Sequence, residues 1–143
     1  MEVSLEHMGA YAKEFVEELP KMVSSQAHVV GLKGDLGAGK TTFVQHVARE
    51  LGVTGSVTSP TFVVAQSYET QHPVFTRLVH MDAYRLEGEE KDTIGFEEFV
   101  KDPNTLLFVE WPEKLPYMVI FPADAPTISF AVVGENVRSL TYA

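Results

Sequence analysis

The sequence predicts an α/β fold: one mixed sheet, part parallel and part antiparallel, flanked by helices. Three observations carry that expectation. A short valine-rich run at 28–32 leads through a glycine-rich turn at 34–39 into an amphipathic helix. Two further apolar runs, at 74–81 and 105–109, each stop on an acid, Asp82 and Glu110. The chain ends in two alternating segments, 127–133 and 137–142, joined by Gly134, Glu135 and Asn136, which is a hairpin pattern.

Taken in order, Leu5, Met8, Ala12, Phe15, Val16 and Leu19 recur at three- and four-residue steps and form one face of a helix. Ser4 is its candidate cap and Pro20 its stop. The run at 28–32 is too short for a core helix and reads as a buried strand. Past the glycine turn, Phe43, Val44, Val47, Ala48 and Leu51 give a second helix, closed by Gly52. Residues 53–60 are small and polar and read as a loop. Segments 62–68 and 74–81 read as an antiparallel pair, with 69–73 between them. The charged stretch 87–100 suggests a short, broken surface helix, and 105–109 another buried strand.

With 143 residues the chain is expected to form a single domain spanning 1–143. Acidic side chains outnumber basic ones 20 to 11, giving a net charge of −9, while a hydrophobic content of 45% is too high for a disordered acidic tail. The absence of cysteine excludes disulfides, a thiolate nucleophile, an iron–sulfur cluster and Cys-ligated zinc. A pI near 4.9 weighs against autonomous nucleic-acid binding, which needs a Lys/Arg-rich surface, but not against action through a basic partner. No apolar run approaches the ~18 residues of a membrane span. The acidic N-terminus lacks the basic and apolar regions of a secretory signal. A cytoplasmic location is therefore expected.

The strongest chemical signal is Gly34-Asp35-Leu36-Gly37-Ala38-Gly39-Lys40-Thr41, a gapless match to G-x-x-x-x-G-K-[ST]. Glycines at this spacing permit positive φ and bring bare backbone N–H groups against phosphate oxygens. The positive end of the following helix completes an anion site. Lys40 would reach the β- and γ-phosphates, and the Thr41 hydroxyl would join a Mg²⁺ shell. A chance match in a chain of this size is on the order of 1% or less, and the motif sits between a strand and a helix as it must. A nucleotide with Mg²⁺ is the ligand pair this predicts.

Such a site also needs acids for magnesium and water. Asp82 and Glu110 follow apolar strands directly, which places them at the carboxyl edge of the sheet, where α/β proteins bind ligands. Either acid alone could be a solvated loop carboxylate; beside a phosphate loop, one would hold the metal and the other would orient or deprotonate water. The sequence does not separate these roles. Thr58, Ser59, Pro60 and Thr61 form either a polar turn or a γ-phosphate sensor. Arg85 could stabilise transferred charge, meet a partner or pair with a surface acid. Trp111, the one tryptophan, follows Glu110. The five histidines show no metal-ligand spacing and read as surface or core packing, and the C-terminal hairpin shows no chemistry.

Four blocks, in order, resemble one family: residues 34–42, then Thr58-Ser59-Pro60-Thr61-Phe62, then His80-Met81-Asp82-Ala83-Tyr84-Arg85-Leu86, then Val109-Glu110-Trp111-Pro112-Glu113. The set is similar to the ATPase subunit of bacterial tRNA threonylcarbamoyladenosine biosynthesis, the TsaE/YjeE family. The resemblance implies a P-loop NTPase with a mixed sheet that hydrolyses ATP. It implies work with two partner proteins that transfer threonylcarbamoyl to adenosine 37 of tRNAs reading ANN codons, with tRNA met only through those partners. By motif position, Thr41 and Glu110 would ligate Mg²⁺, Asp82 would be the acid needed for hydrolysis, and Lys40 would serve the phosphates. Residues 34–42 would cradle the nucleotide, Thr42 included; Ser59 and Thr61 would form a nucleotide-responsive switch, and Trp111 would lie beside the nucleotide. Met81 and Ala83 stand where the family pattern has leucines, at positions that look like packing.

Two other classes compete. A small-molecule or nucleotide kinase shares the phosphate loop but needs an arginine-rich lid; the four arginines here, at 49, 77, 85 and 138, do not cluster. A guanine-specific enzyme would carry N-K-x-D, which is missing. A nucleotide-dependent regulatory module, inert alone, overlaps with an ATPase that its partners complete.

Overall fold

The structure, a computed structural model, describes residues 1–22, 24–35, 37–54, 65–83, 94–112 and 125–142. Its elements run β1 (Glu2–Ser4), a 3₁₀ turn (Leu5–His7), α1 (Met8–Glu17), β2 (His28–Lys33), α2 (Lys40–Glu50), β3 (Ala65–Glu69), β4 (Arg77–Asp82), α3 (Ile94–Val100), β5 (Thr105–Glu110), β6 (Thr127–Gly134) and β7 (Val137–Tyr142). One seven-stranded sheet has the order β1-β7-β6-β2-β5-β4-β3. The expected α/β fold with a mixed sheet is what forms: β2 pairs parallel with β5 and β6, β4 parallel with β5, and β3–β4, β6–β7 and β1–β7 antiparallel.

Of the four parallel strands, β2, β5 and β4 are buried on both faces, the pattern of strands covered by helices, whereas β6 is buried only at alternate residues. All six residues of β5 are buried. One face carries α1 and α2 and holds the larger core, with Leu32, Leu78, Leu106 and Phe108 from the sheet. Phe43 of α2 is its hub, with its ring centroid 5.5–5.8 Å from those of Tyr11, Phe15, Phe108 and Phe130. That cluster seats the N-terminus of α2 over β5 and β6. The other face holds Val29, Val79, Met81, Ala83, Leu107 and Val109, with Phe99 and Val100 of α3 against them. Met81 and Ala83 are thus core residues, as expected of packing positions.

Three differences from the sequence expectations have local causes. The first helix begins as a 3₁₀ turn, and Ser4 makes no capping bond to the helix backbone; its hydroxyl pairs instead with His7 Nδ1 at 2.6 Å. Residues 2–4 form an edge strand on β7, too short to show any alternation. The β3–β4 connection runs to residue 76 because Thr70, His72 and Phe75 bond across it: His72 Nδ1 accepts the N–H groups of Val74 and Phe75 at 3.1 and 3.0 Å. The expected loop at 53–60 beyond residue 54, the strand start at 62–64 and the helical stretch at 87–93 lie outside the described residues.

Candidate functional site

The glycine-rich turn leaves β2 and opens α2. Gly34, Gly37 and Gly39 take φ of 145°, 82° and 107°, the region that favours glycine. A Cβ on Gly34 would lie 2.6 Å from the Phe130 carbonyl oxygen, whereas one on Gly37 would meet nothing within 4 Å. Gly34 is therefore needed for close approach to β6, and Gly37 for backbone conformation over open space. The turn is closed by Ala38 N–H on the Asp35 carbonyl at 3.0 Å and handed to the helix by Phe43 N–H on Gly39 at 2.9 Å. Asp35 is exposed, Ala38 is buried, and Thr41 and Thr42 are half-buried in the first turn of α2. Leu36 lies outside the described residues.

Lys40, the first residue of α2, is only 5% exposed. An ammonium group withdrawn from water is costly unless other groups compensate it. Here Nζ donates to the Gly34 carbonyl, lies 3.7 Å from Oε1 of Glu110, and sits 4.6 Å from the centroid of the Trp111 ring. A carbonyl, a carboxylate and a ring face thus replace its water.

Glu110 ends β5 and is also buried, at 6% exposure. Its second oxygen, Oε2, is 2.5 Å from Nε2 of His80, a residue of β4 with no exposed surface. Asp82 is the register partner of Glu110 on the adjacent parallel strand, so the two backbones are about 4.8 Å apart. Alternation along β4 puts Leu78, His80 and Asp82 on one face, the face that α2 covers. Asp82 is half-buried, hence more open to solvent than Glu110. The two strand-end acids and the lysine, far apart in sequence, therefore converge at one edge.

Trp111 carries the one positive φ outside glycine among the described residues, 57°. A left-handed non-glycine residue costs on the order of 1–3 kcal/mol. Its N–H bonds the Leu32 carbonyl at 3.1 Å, tying the end of β5 to the end of β2. The twist thus sets the ring against Lys40.

The C-terminal hairpin, which shows no chemistry in sequence, forms the far wall of the turn. Arg138 of β7 is 9% exposed, with Nη1 on the carbonyls of Gly134, Glu135 and Val137 at 3.1–3.4 Å and Nη2 on the Gly37 carbonyl at 3.4 Å. It therefore holds the outward carbonyl of the phosphate-type loop, and no pattern in the sequence marks it. His80 is a correction of a different kind. Read as packing, like the other histidines, it instead touches Glu110; its place two residues before Asp82 on one strand was the available signal. Ser59, Thr61 and Arg85 lie outside the described residues.

The donors at this edge are oxygens, the Glu110 and Asp82 carboxylates, with Thr41 in the adjoining first turn of α2. Hard oxygen ligands suit Mg²⁺, which typically keeps waters and phosphate oxygens as its remaining ligands. Among the described residues no cluster of three or more His, Asp or Glu is arranged to hold an ion by itself.

Comparison with known proteins gives a family and a similar fold. A family model described as "Threonylcarbamoyl adenosine biosynthesis protein TsaE" matches residues 4–140. The protein named "tRNA threonylcarbamoyladenosine biosynthesis protein TsaE" from Synechocystis is 40% identical over 94 residues, covering 63% of this chain and 57% of that protein. Its namesake from Bacillus subtilis is 34% identical over 127 residues, covering 89% and 76%. The chain thus spans little more than half of the first relative and about three quarters of the second. The crystal structure of YdiB from Bacillus subtilis superposes with a TM-score of 0.69 at 28% identity, covering 99% of this chain and 83% of that one.

Proposed function

Since this chain belongs to the TsaE family, we propose that it is a Mg²⁺-dependent, ATP-binding P-loop ATPase supporting threonylcarbamoyl modification of adenosine 37 in tRNAs that read ANN codons. In this reading it acts with the two other proteins of the bacterial threonylcarbamoyl-transfer complex. The observation that carries the nucleotide part is the burial of Lys40 against Glu110 and Trp111 at the mouth of a glycine turn. A protein gains nothing in stability from a buried lysine that hydrophobic packing could not supply, whereas phosphate recognition needs one. The tRNA part rests on the family.

The roles we assign come from motif position, supported where the residues are described by their burial and contacts. Open backbone N–H groups of the glycine turn and the start of α2 would cradle the phosphates. Lys40 leaves the Gly34 carbonyl for the β- and γ-phosphates, its charge being repaid there. Thr41 and Glu110 would hold Mg²⁺, which when bound would supply positive charge against the phosphates. Asp82, more open to solvent, orients and deprotonates the attacking water. Trp111 lies beside the nucleotide, and Ser59 and Thr61 form the switch. The arginines favour this reading over a kinase: Arg77 pairs with Asp102 at 2.5 Å and Arg138 serves the hairpin, so neither is spare for a lid. A net charge of −9 leaves tRNA contact to the partners. Among the described residues no helix is long and apolar enough to cross a membrane, and a cytoplasmic location fits the proposed role.

In the reconstituted complex, Glu110→Ala and Asp82→Ala should each lower ATP turnover ~100-fold or more while ATP affinity is largely kept. Wild-type turnover in both variants overturns the two-acid site. Cells depleted of the protein should lose threonylcarbamoyladenosine by nucleoside mass spectrometry; normal levels overturn the tRNA role.

A further inference from the structure

Glu110 has two oxygens with different surroundings. Oε1 faces Lys40 at 3.7 Å, while Oε2 is held by His80 Nε2 at 2.5 Å. His80 is wholly buried, and among the described residues its Nδ1 has no hydrogen-bond partner. Since a carboxylate oxygen only accepts, Nε2 is the nitrogen that carries hydrogen and donates to Oε2. The ring itself is fixed: it stands on β4 between Leu78 and Asp82 on the face packed by α2, and its register partners are Phe108 on β5 and Gln66 on β3.

We propose that His80 is a positioning residue of the nucleotide site, holding one oxygen of Glu110 so that only the other is presented to Lys40 and to the metal that accompanies ATP. This rests on the nucleotide reading above and adds to it a residue outside the phosphate loop and the two acids. The physical need is specific. A glutamate at a strand end has three rotatable bonds, and the nearest cation is a buried lysine. Without a second anchor the carboxylate would turn both oxygens onto the Lys40 ammonium, closing a tighter ion pair. That pair would compete with phosphate for the lysine and with the metal for the carboxylate. A donor on Oε2 prevents this, much as partners behind metal ligands elsewhere fix their orientation, where loss typically costs 10–100-fold in metal affinity or activity. The hydrogen bond also explains why a histidine is tolerated in the apolar wall of β4: its one obligatory donor is satisfied by Glu110.

The test uses the full chain and two variants. His80→Leu removes the donor and keeps an apolar side chain of similar reach; His80→Gln keeps an N–H group at the position of Nε2. Thermal unfolding of each first establishes that it folds. The ¹⁵N spectrum of the histidine rings, taken without nucleotide, reads the contact: His80 should show hydrogen on Nε2, and that resonance should move in Glu110→Gln. An Nε2 signal indifferent to Glu110→Gln overturns the proposal whatever the protein binds. Trp111 fluorescence then reads function as Mg²⁺ is titrated in the presence of ATP. His80→Leu should need ~10-fold or more Mg²⁺ for half-response, and His80→Gln should recover most of that loss. Equal Mg²⁺ dependence in wild type and a folded His80→Leu overturns the positioning role while the nucleotide reading stands. A wild-type protein that never responds to Mg-ATP by fluorescence or calorimetry overturns the nucleotide reading and this role with it.

Discussion

The parallel strands of this protein end very differently at their two edges. At the carboxyl edge, Lys40, Glu110 and His80 are buried together, each within a few ångströms of the next. At the amino edge, open grooves occur and the described ion pair stays wet. A groove of about 600 Å³ lies between Tyr11, Phe15, Leu19, His28 and Tyr142, and another of about 740 Å³ lies around Ser67, Thr70 and Asn104. The ion pair there, Arg77–Asp102, leaves the arginine side chain 41% exposed. Burying charge is costly and is kept where a ligand will use it, which is why the proposed site is the carboxyl edge and not the amino-edge grooves.

Three substitutions would break or sharpen this contrast. The largest effect is expected at Gly34→Ala, where a Cβ would meet the Phe130 carbonyl at 2.6 Å with φ at 145°. A loss of ~3 kcal/mol is expected, or roughly 6–12 °C in melting temperature, together with loss of nucleotide binding. A normal melting temperature would show that β6 does not brace the turn. Next comes Arg138→Met, which keeps the apolar stem and removes the fork on Gly37 and the hairpin carbonyls. ATP and ADP should both bind about 3–10-fold more weakly, as one or two hydrogen bonds predict. Turnover at saturating ATP should be unchanged, because the effect is on loop shape and acts on both nucleotides alike. An effect on turnover alone would instead place Arg138 in the chemistry.

The smallest effect belongs to the amino edge. Burial pushes the Asp102 carboxyl upward, but the N–H of Asn104, the Thr105 hydroxyl and Arg77 outweigh it and hold the group below its ordinary value. Because the folded carboxyl titrates below the unfolded one, its stabilisation is complete above the unfolded value of about 3.9 and is lost as the pH falls through the folded one. Asp102→Asn should cost at most ~1 kcal/mol at neutral pH, given the exposed arginine, with no effect on nucleotide affinity. Below that window the two proteins should converge in stability. A change in ATP affinity would join the two edges that the structure keeps apart.

Local signals explain what was legible in the sequence. The strand, glycine turn and helix at 28–51 announce themselves by composition and period, and the acids at 82 and 110 by following apolar runs. All of these lie where their local pattern implies. Convergence of Lys40 with Glu110 was readable only because parallel strands share an edge. What the sequence hid depends on pairings distant in the chain. Arg138 reaches Gly37 across 101 residues because β7 returns antiparallel beside β6, and no local pattern encodes that return. His80 was hidden for another reason: a lone histidine in an apolar strand looks like core, and only the register of β4 against β5 brings it to Glu110. Strand β1 was hidden by its length of three residues.

Isothermal titration of Mg-ATP into the full chain and into Lys40→Ala tests the central claim most directly. The buried ammonium is predicted to be the phosphate-facing cation, so the variant should fold and lose ~100-fold or more in affinity. Equal affinity in the two proteins would contradict the account.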